Sequence, residues 1–226
     1  MRSPAESYRA SFHRIRSLVG RLPAERFDVR VPACPEWSVR DLLAHLVGVA
    51  ADHVAGRLDG APGPLWTHRH VREHRCLPPA DLMDRWQELA DRLGPLLSGP
   101  EPRTTLVHDI VQHEADLLAA VGGPQPLPRD AWLLLLDDLC RTATSWMAPD
   151  GVLVVRSAGR SWWIGEGTRP TAVLDAPAFE LWRGFFGRRS LRQMTAWPLA
   201  GRAPGLARLP RFPPRESDLA EDLPQR

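Results

Sequence analysis

Apolar side chains recur at helical spacing from Tyr8 to Met147. The predicted helices run over Tyr8–Leu22, Val39–Gly56, Pro79–Leu97, Thr104–Val121 and Asp130–Met147. Ser38 is a good N-cap for the second helix, and Gly122-Gly123-Pro124 ends the fourth. The fifth is almost wholly apolar over residues 131–136, so we expect it to be deeply buried. The pattern therefore predicts an all-helical N-terminal domain.

The pattern changes after Pro149-Asp150-Gly151 to short runs typical of strands. Strands are predicted over Val152–Arg156, Ser161–Gly165, Thr171–Leu174 and Met194–Leu199, with a short helix over Ala178–Phe186. Proline and arginine dominate beyond residue 200. We therefore predict a helical domain over residues 1–148, a small α+β domain over 149–200, and a poorly ordered tail over 201–226. The predicted fold class is mainly α with a small α+β C-terminal domain.

Composition narrows the classes of function. The 226-residue chain carries 29 basic and 27 acidic side chains, and every basic one is arginine. A net charge of +2 argues against a nucleic-acid surface, and the lack of lysine excludes a Schiff-base or phosphate-loop lysine. No apolar run approaches the ~20 residues that a membrane span requires. The protein is therefore expected to have no nucleic-acid or membrane partner. It is also expected to be cytoplasmic, because its cysteine usage suits a reducing compartment, and to be a monomer or homodimer.

The three cysteines, Cys34, Cys76 and Cys140, form no CxxC pair. A disulfide framework or a zinc ribbon is therefore not expected. Cys34 is interpreted as a packing residue.

The fourth predicted helix carries the most informative polar residues. Asp109 and His113 lie one turn apart and project from the same face, as two metal ligands on one helix must. His113 lies within the apolar stripe of this helix, whereas His108 points nearly the opposite way.

A second histidine is predicted to face the interior. His45 lies in the apolar run Leu42–Val47 of the second helix, where an unpartnered imidazole would cost free energy. A metal held by His45, Asp109 and His113 would keep open positions, as catalytic sites do. The alternative is that both histidines hydrogen-bond to buried carbonyls or to Asp116.

The motif VPACPEWSVRDLLAHL, ending at His45, and the spacing of Asp109, His113 and Asp116-Leu117 resemble the mycothiol-dependent maleylpyruvate isomerase family. This family belongs to the DinB-like four-helix metalloproteins. Trp162-Trp-Ile-Gly165, the segment Ala176–Arg183 and Gly187-Arg188 also resemble the family's second domain. The resemblance implies an up-down four-helix bundle followed by a sterol-carrier-like domain.

The resemblance also implies a ligand set. A divalent metal, usually zinc, would be held by His45, Asp109 and His113, although the family usually has glutamate at the position of Asp109. Asp116 matches the family's own aspartate and is interpreted as orienting an imidazole. An arginine of the second domain helps to bind the anionic substrate in the family. Here Arg188 is the first candidate and Arg183 the second.

The implied reaction uses mycothiol or a similar small thiol, whose thiolate attacks an electrophile. Addition to a cis double bond, rotation and elimination would make an isomerase of a maleylpyruvate-like substrate, whereas a retained adduct would make an S-transferase. Two alternatives stay open. One is a non-catalytic DinB-like binding or stress protein, and the other is an enzyme of one specialised metabolite in which the thiol is vestigial.

Other candidate motifs carry less weight. His68, His70, His74 and Cys76 form a cluster, but the segment is rich in arginine, so a solvated loop at the mouth of a cleft is the favoured interpretation. Gly165-Glu-Gly167 lacks the helix signature of a dinucleotide site.

Overall fold

The structure is a computed structural model that describes residues 3–123, 126–147, 151–201 and 210–219. The chain divides into two compact units, Met1–Pro126 and Leu127–Arg226. None of the described helices combines the length and the apolar character needed to cross a membrane.

The first unit is helical apart from one small hairpin. Its elements are α1 (Pro4–Val19), a 3-10 helix (Ala24–Asp28), β1 (Arg30–Val31), β2 (Cys34–Ser38), α2 (Val39–Ala55), α3 (Pro64–His74), α4 (Pro79–Arg92), α5 (Gly94–Ser98) and α6 (Thr104–Val121). Strands β1 and β2 pair antiparallel and lead directly into α2. Helix α2 packs against α3, α4 and α6, and α1 packs against α6.

Local sequence signals explain how α2 is placed. Ser38 caps its first turn and forms a reciprocal capping box with Asp41, which satisfies amide groups that have no partner in the helix. Gly56 ends it in a left-handed conformation. All residues of α2 from Asp41 to Asp52 are buried, so this helix is the centre of the unit.

The second unit combines a four-stranded sheet with helices. Its elements are α7 (Arg129–Thr142), α8 (Thr144–Met147), β3 (Leu153–Ser157), β4 (Arg160–Ile164), β5 (Ala172–Asp175), α9 (Ala178–Phe185), α10 (Leu191–Thr195) and β6 (Leu199–Gly201). The strand order is β4-β3-β5-β6, with β3 and β5 parallel and the other pairs antiparallel. Helix α7 packs against α9 and β4.

The predicted fold class is confirmed, because the chain is mostly helical with a small sheet near its C-terminus. The division between the units, however, lies earlier than the boundary predicted at residues 148 and 149. The apolar side of α7 explains the difference: Trp132 stacks on Trp182 of α9 at 5.9 Å, and Leu136 is fully buried. The fifth predicted helix therefore belongs to the second unit.

Three local predictions differ from the structure. Residues 64–74 form a helix instead of a loop, started by Pro64 in its first turn. The segment predicted as a strand from Met194 begins inside α10, because Ser190 and Gln193 form a capping box that starts a helix. The helix predicted over Pro79–Leu97 is divided at Gly94 into α4 and α5.

Part of the predicted tail packs against the rest of the second unit. The Arg211 amide donates to the Phe185 carbonyl at 2.8 Å, the Arg215 amide donates to the Arg189 carbonyl at 3.0 Å, and Leu219 is buried. Residues 210–219 are therefore ordered, contrary to the prediction for this stretch. Residues 202–209 and 220–226 of that tail, and Pro149 and Asp150 at the predicted boundary, lie outside the described residues.

Candidate metal centre

Three side chains of the first unit converge from α2 and α6. Asp109 Oδ1 lies 3.6 Å from His45 Nε2 and 3.6 Å from His113 Nε2. One potential ligand atom from each residue lies within 4.8 Å of the other two. Two imidazole nitrogens and one carboxylate oxygen are the donor set of many three-ligand zinc sites. The residues present therefore fit a divalent metal at this position.

Burial differs among the three residues. The relative solvent exposure of His45 and His113 is only 2% and 6%, whereas that of the Asp109 side chain is 28%. The carboxylate therefore lies on the open side of the cluster, where a small molecule can approach. The structure brings Asp109 and His113 together as the helical spacing predicts. His108 is also buried, but it belongs to no potential metal-ligand group of the described chain.

His113 has a carboxylate partner on its other ring nitrogen. Nδ1 of His113 lies 3.1 Å from Asp116 Oδ2, at hydrogen-bond distance. This contact has the geometry expected of a carboxylate that orients an imidazole. The Cys34 Sγ atom lies 3.9 Å from the same Asp116 oxygen, and Cys34, His113 and Asp116 form a second group with ligand atoms in mutual reach. Cys34 thus adjoins the centre, which the interpretation as a packing residue did not indicate.

Glu114 points away from the cluster. Arg14 of α1 donates two hydrogen bonds to its carboxylate, at 2.6 and 2.8 Å, and the Ser11 hydroxyl donates a third. Glu114 therefore joins α6 to α1 and cannot replace Asp109 as a ligand.

His70 lies buried near the centre, whereas the sequence analysis favoured a solvated loop for its segment. It lies on α3, is fully buried, and places Nδ1 3.3 Å from Nδ1 of His45. Its Nε2 atom lies 2.9 Å from Asp52 Oδ2. The spacing of Trp66, His70 and Val71 could have indicated a helix with an inward face, but the flanking arginines obscured it. His68 is exposed, and neither it, His74 nor Cys76 belongs to a metal-ligand group within the described residues.

The electrostatics of the cluster distinguish the two histidines. Burial lowers the pKa of His45 to about 4, so this imidazole is neutral. Burial also lowers the pKa of His113, but the Asp109 charge and the Asp116 hydrogen bond outweigh it and raise the pKa to about 10. Burial raises the pKa of Asp109, but the charge of His113 lowers it to about 2. Without a cation, His113 and Asp109 therefore form an ion pair.

Aromatic rings enclose the imidazoles. The Trp37 ring, on β2, lies 4.8 Å from the His45 ring and 6.2 Å from the His113 ring, measured between centroids. Trp66, on α3, meets the His70 ring edge-on at 4.2 Å. These rings limit the access of water to the buried side of the cluster.

The arginines predicted to bind an anion belong to the second unit. The Arg183 guanidinium is fully buried and lies 5.6 Å from the centre of the Trp182 ring. Arg188 is only half buried and donates to the Phe186 carbonyl at 3.1 Å. The neighbouring Arg189 is buried and donates two hydrogen bonds to Glu180. Arg188 is therefore better exposed than Arg183 to a dissolved anion, and its role stays a prediction.

The fold and the site together define a two-unit protein in which a helical domain carries a buried histidine–aspartate cluster and a small α+β unit follows. Residues 8–118 match the sequence model of the mycothiol maleylpyruvate isomerase N-terminal domain. The helical unit of the chain therefore belongs to this family, which confirms the resemblance seen in the sequence.

Two solved structures share the fold. They are crystal structures of the mycothiol-dependent maleylpyruvate isomerase and of a histidine-to-alanine mutant of it. The TM-scores are 0.58 and 0.57 at 15% and 14% sequence identity, and each comparison covers 89% of this chain and 94% of the other. No curated protein matches the sequence.

Proposed function

We propose that the protein is a metal-dependent enzyme that uses a low-molecular-weight thiol such as mycothiol. It would act as an isomerase of a maleylpyruvate-like substrate or as an S-transferase to another electrophile. The observation that carries this proposal is the convergence of His45, Asp109 and His113 around one point with an open side. The family of the helical unit supports the choice of thiol. The compartment that suits such an enzyme is the cytoplasm.

His45, Asp109 and His113 would hold the metal, with zinc the best match for this donor set. When bound, zinc lowers the pKa of a thiol so that the thiolate is present at neutral pH. His45 offers a neutral imidazole, and Asp116 orients the His113 ring through its Nδ1 hydrogen bond. Asp109 lies at the solvent side, so it borders the space in which thiol and substrate would meet.

The chemistry needs no redox partner. In an isomerase the thiolate adds to the cis double bond, rotation occurs about the resulting single bond, and elimination returns the thiolate with the trans product. In an S-transferase the adduct is released instead. The guanidinium of Arg188 would pair with the substrate carboxylate, because a planar fork of donors suits that group.

A turnover experiment tests the proposal. The zinc-loaded chain is incubated with mycothiol and maleylpyruvate, or with a panel of electrophiles, and product is followed with and without the thiol. We expect thiol-dependent turnover that His113→Ala removes. Absence of turnover across the panel would contradict the proposal.

The alternative is a non-catalytic binding protein of the same fold. The aspartate at position 109, where the family usually has glutamate, is the feature that favours it. A purified chain without stoichiometric zinc, nickel or manganese would support this second function.

A further inference from the structure

A chain of buried polar groups leads from His45 away from the proposed metal site. His45 Nδ1 lies 3.3 Å from His70 Nδ1, and His70 Nε2 lies 2.9 Å from Asp52 Oδ2. His45, His70 and Asp52 retain 2%, 0% and 1% of their exposure. Water therefore cannot replace these contacts, and each polar atom needs a hydrogen-bond partner within the protein.

The positions of the hydrogens in this series of polar groups follow from the charge of Asp52, the group farthest from the proposed metal site. The Asp52 carboxylate accepts from Arg69 and pairs with Arg57 at 3.0 Å. Burial raises the pKa of Asp52, but hydrogen bonds from Arg69 and His70 lower it below its ordinary value. An ionised carboxylate only accepts hydrogen bonds, so the facing His70 Nε2 must carry a hydrogen.

The tautomer of His45 follows in the same way. A neutral His70 with its hydrogen on Nε2 has a lone pair on Nδ1. Nδ1 of His45 faces that lone pair and must donate to it, so the hydrogen of a neutral His45 lies on Nδ1. Its Nε2 then holds a lone pair, and Nε2 is the atom nearest Asp109 Oδ1.

We propose that Asp52 and His70 are positioning residues that fix His45 in the tautomer whose Nε2 lone pair faces Asp109 and His113. This inference rests on the proposed metal function, because the exposed lone pair matters most if Nε2 is a ligand. Fixing the ring in advance spares the metal the cost of selecting one tautomer and one orientation from several.

The close packing of α3 on α2 also supports a positioning role for His70. Gly48 lies on α2 three residues after His45, and a Cβ atom at this position would lie only 2.4 Å from both Cβ and Cγ of His70. Only glycine therefore lets the His70 ring approach α2 this closely. Gly48→Ala should displace His70 without altering the polar side chains of His45, His70 and Asp52 themselves.

Nitrogen NMR of the full-length, metal-free protein tests the tautomer directly. With ¹⁵N-labelled histidine, we expect His45 to carry its hydrogen on Nδ1 and His70 on Nε2. In Asp52→Asn and in Gly48→Ala the preference of His45 should weaken or reverse. A hydrogen on His45 Nε2, or a doubly protonated His70, in the unaltered protein would overturn the inference.

Zinc affinity supplies a second readout. We expect Asp52→Asn, His70→Ala and Gly48→Ala to weaken zinc binding about 10–100-fold, while His68→Ala, an exposed position on the same helix, leaves it unchanged. Circular dichroism confirms that each variant is folded. If His70→Ala does not fold, the Gly48→Ala and Asp52→Asn variants test the inference. Unchanged zinc affinity and an unchanged His45 tautomer in these two variants would overturn the inference. A wild-type protein that binds no zinc would instead contradict the proposed function, and the NMR test of the tautomer would remain valid.

Discussion

Asp109 Oδ1 lies 3.6 Å from His113 Nε2, one helical turn away on α6. Because a glutamate at this position is one methylene longer and keeps the charge, we expect Asp109→Glu to retain or increase zinc affinity. Asp109→Asn removes the charge and should weaken it. Competition with a chromophoric chelator measures both variants. Equal affinity of the aspartate, glutamate and asparagine forms would show that position 109 is not a ligand.

Three histidine variants test which ring nitrogens bind the metal. His45→Ala and His113→Ala each remove one of three ligands and should abolish stoichiometric metal binding. His108→Ala removes a buried histidine that lies outside the cluster, so metal content should be unchanged. Metal analysis after equilibrium dialysis measures the difference, with thermal unfolding as a check on folding. Equal loss in all three variants would contradict the assignment.

The ion pair between α1 and α6 should stabilise the fold without affecting the metal. Arg14→Ala removes the guanidinium and leaves the buried Glu114 carboxylate with the Ser11 hydroxyl. Since Arg14 is partly exposed, we expect the free energy of unfolding to fall by about 1–3 kcal/mol. Urea unfolding at neutral pH measures it. Zinc affinity should match the unaltered chain, and a large drop would show that Glu114 contributes to the centre.

Asp52 should make stability depend on pH in the acid range. The folded pKa of Asp52 lies below the unfolded value of about 3.9, so the unfolded state binds the proton first as the pH falls. The contribution is therefore complete above about pH 5 and is lost as the pH falls through the folded pKa. Asp52→Asn should be less stable at neutral pH and lose stability less steeply below pH 5. Denaturant unfolding across pH measures both, and parallel curves would contradict the prediction.

The division between the units determines how the chain can be shortened. Cleavage after residue 150 would leave α7 without α9 and β4, which cover its apolar side. We therefore expect residues 1–150 to aggregate and residues 1–126 to remain monodisperse and bind zinc. Size-exclusion chromatography and metal analysis compare the two. Good behaviour of the longer fragment would show that α7 is not dependent on the second unit.

Much of the helical unit was predictable because its signals are local. The predicted bounds of α6, Thr104–Val121, match the structure, since a glycine pair ends a clear apolar period. The shared face of Asp109 and His113 follows from helical geometry alone. Ser38 as the N-cap of α2 follows from its side chain. The convergence of α2 on α6 is a tertiary contact. It was predicted from the inward faces of His45 and His113, and the resemblance to a family supported that prediction.

The features that were missed depend on contacts between distant segments. Whether α7 packs with the first or the second unit depends on which apolar faces are available, which its own sequence does not contain. His70 lies in a segment rich in arginine, and its burial depends on the close approach to α2 that Gly48 permits. Segment 210–219 has little periodicity and is ordered by hydrogen bonds to residues 185 and 189.

The indole of Trp37 lies directly beside both histidine rings of the cluster. An indole in that position is an intrinsic optical reporter, because charged imidazoles and paramagnetic ions quench its emission at short range. Occupancy of the centre can therefore be followed by fluorescence without a label. The signal of Trp37 is the difference between the emission of the native chain and that of the Trp37→Phe variant.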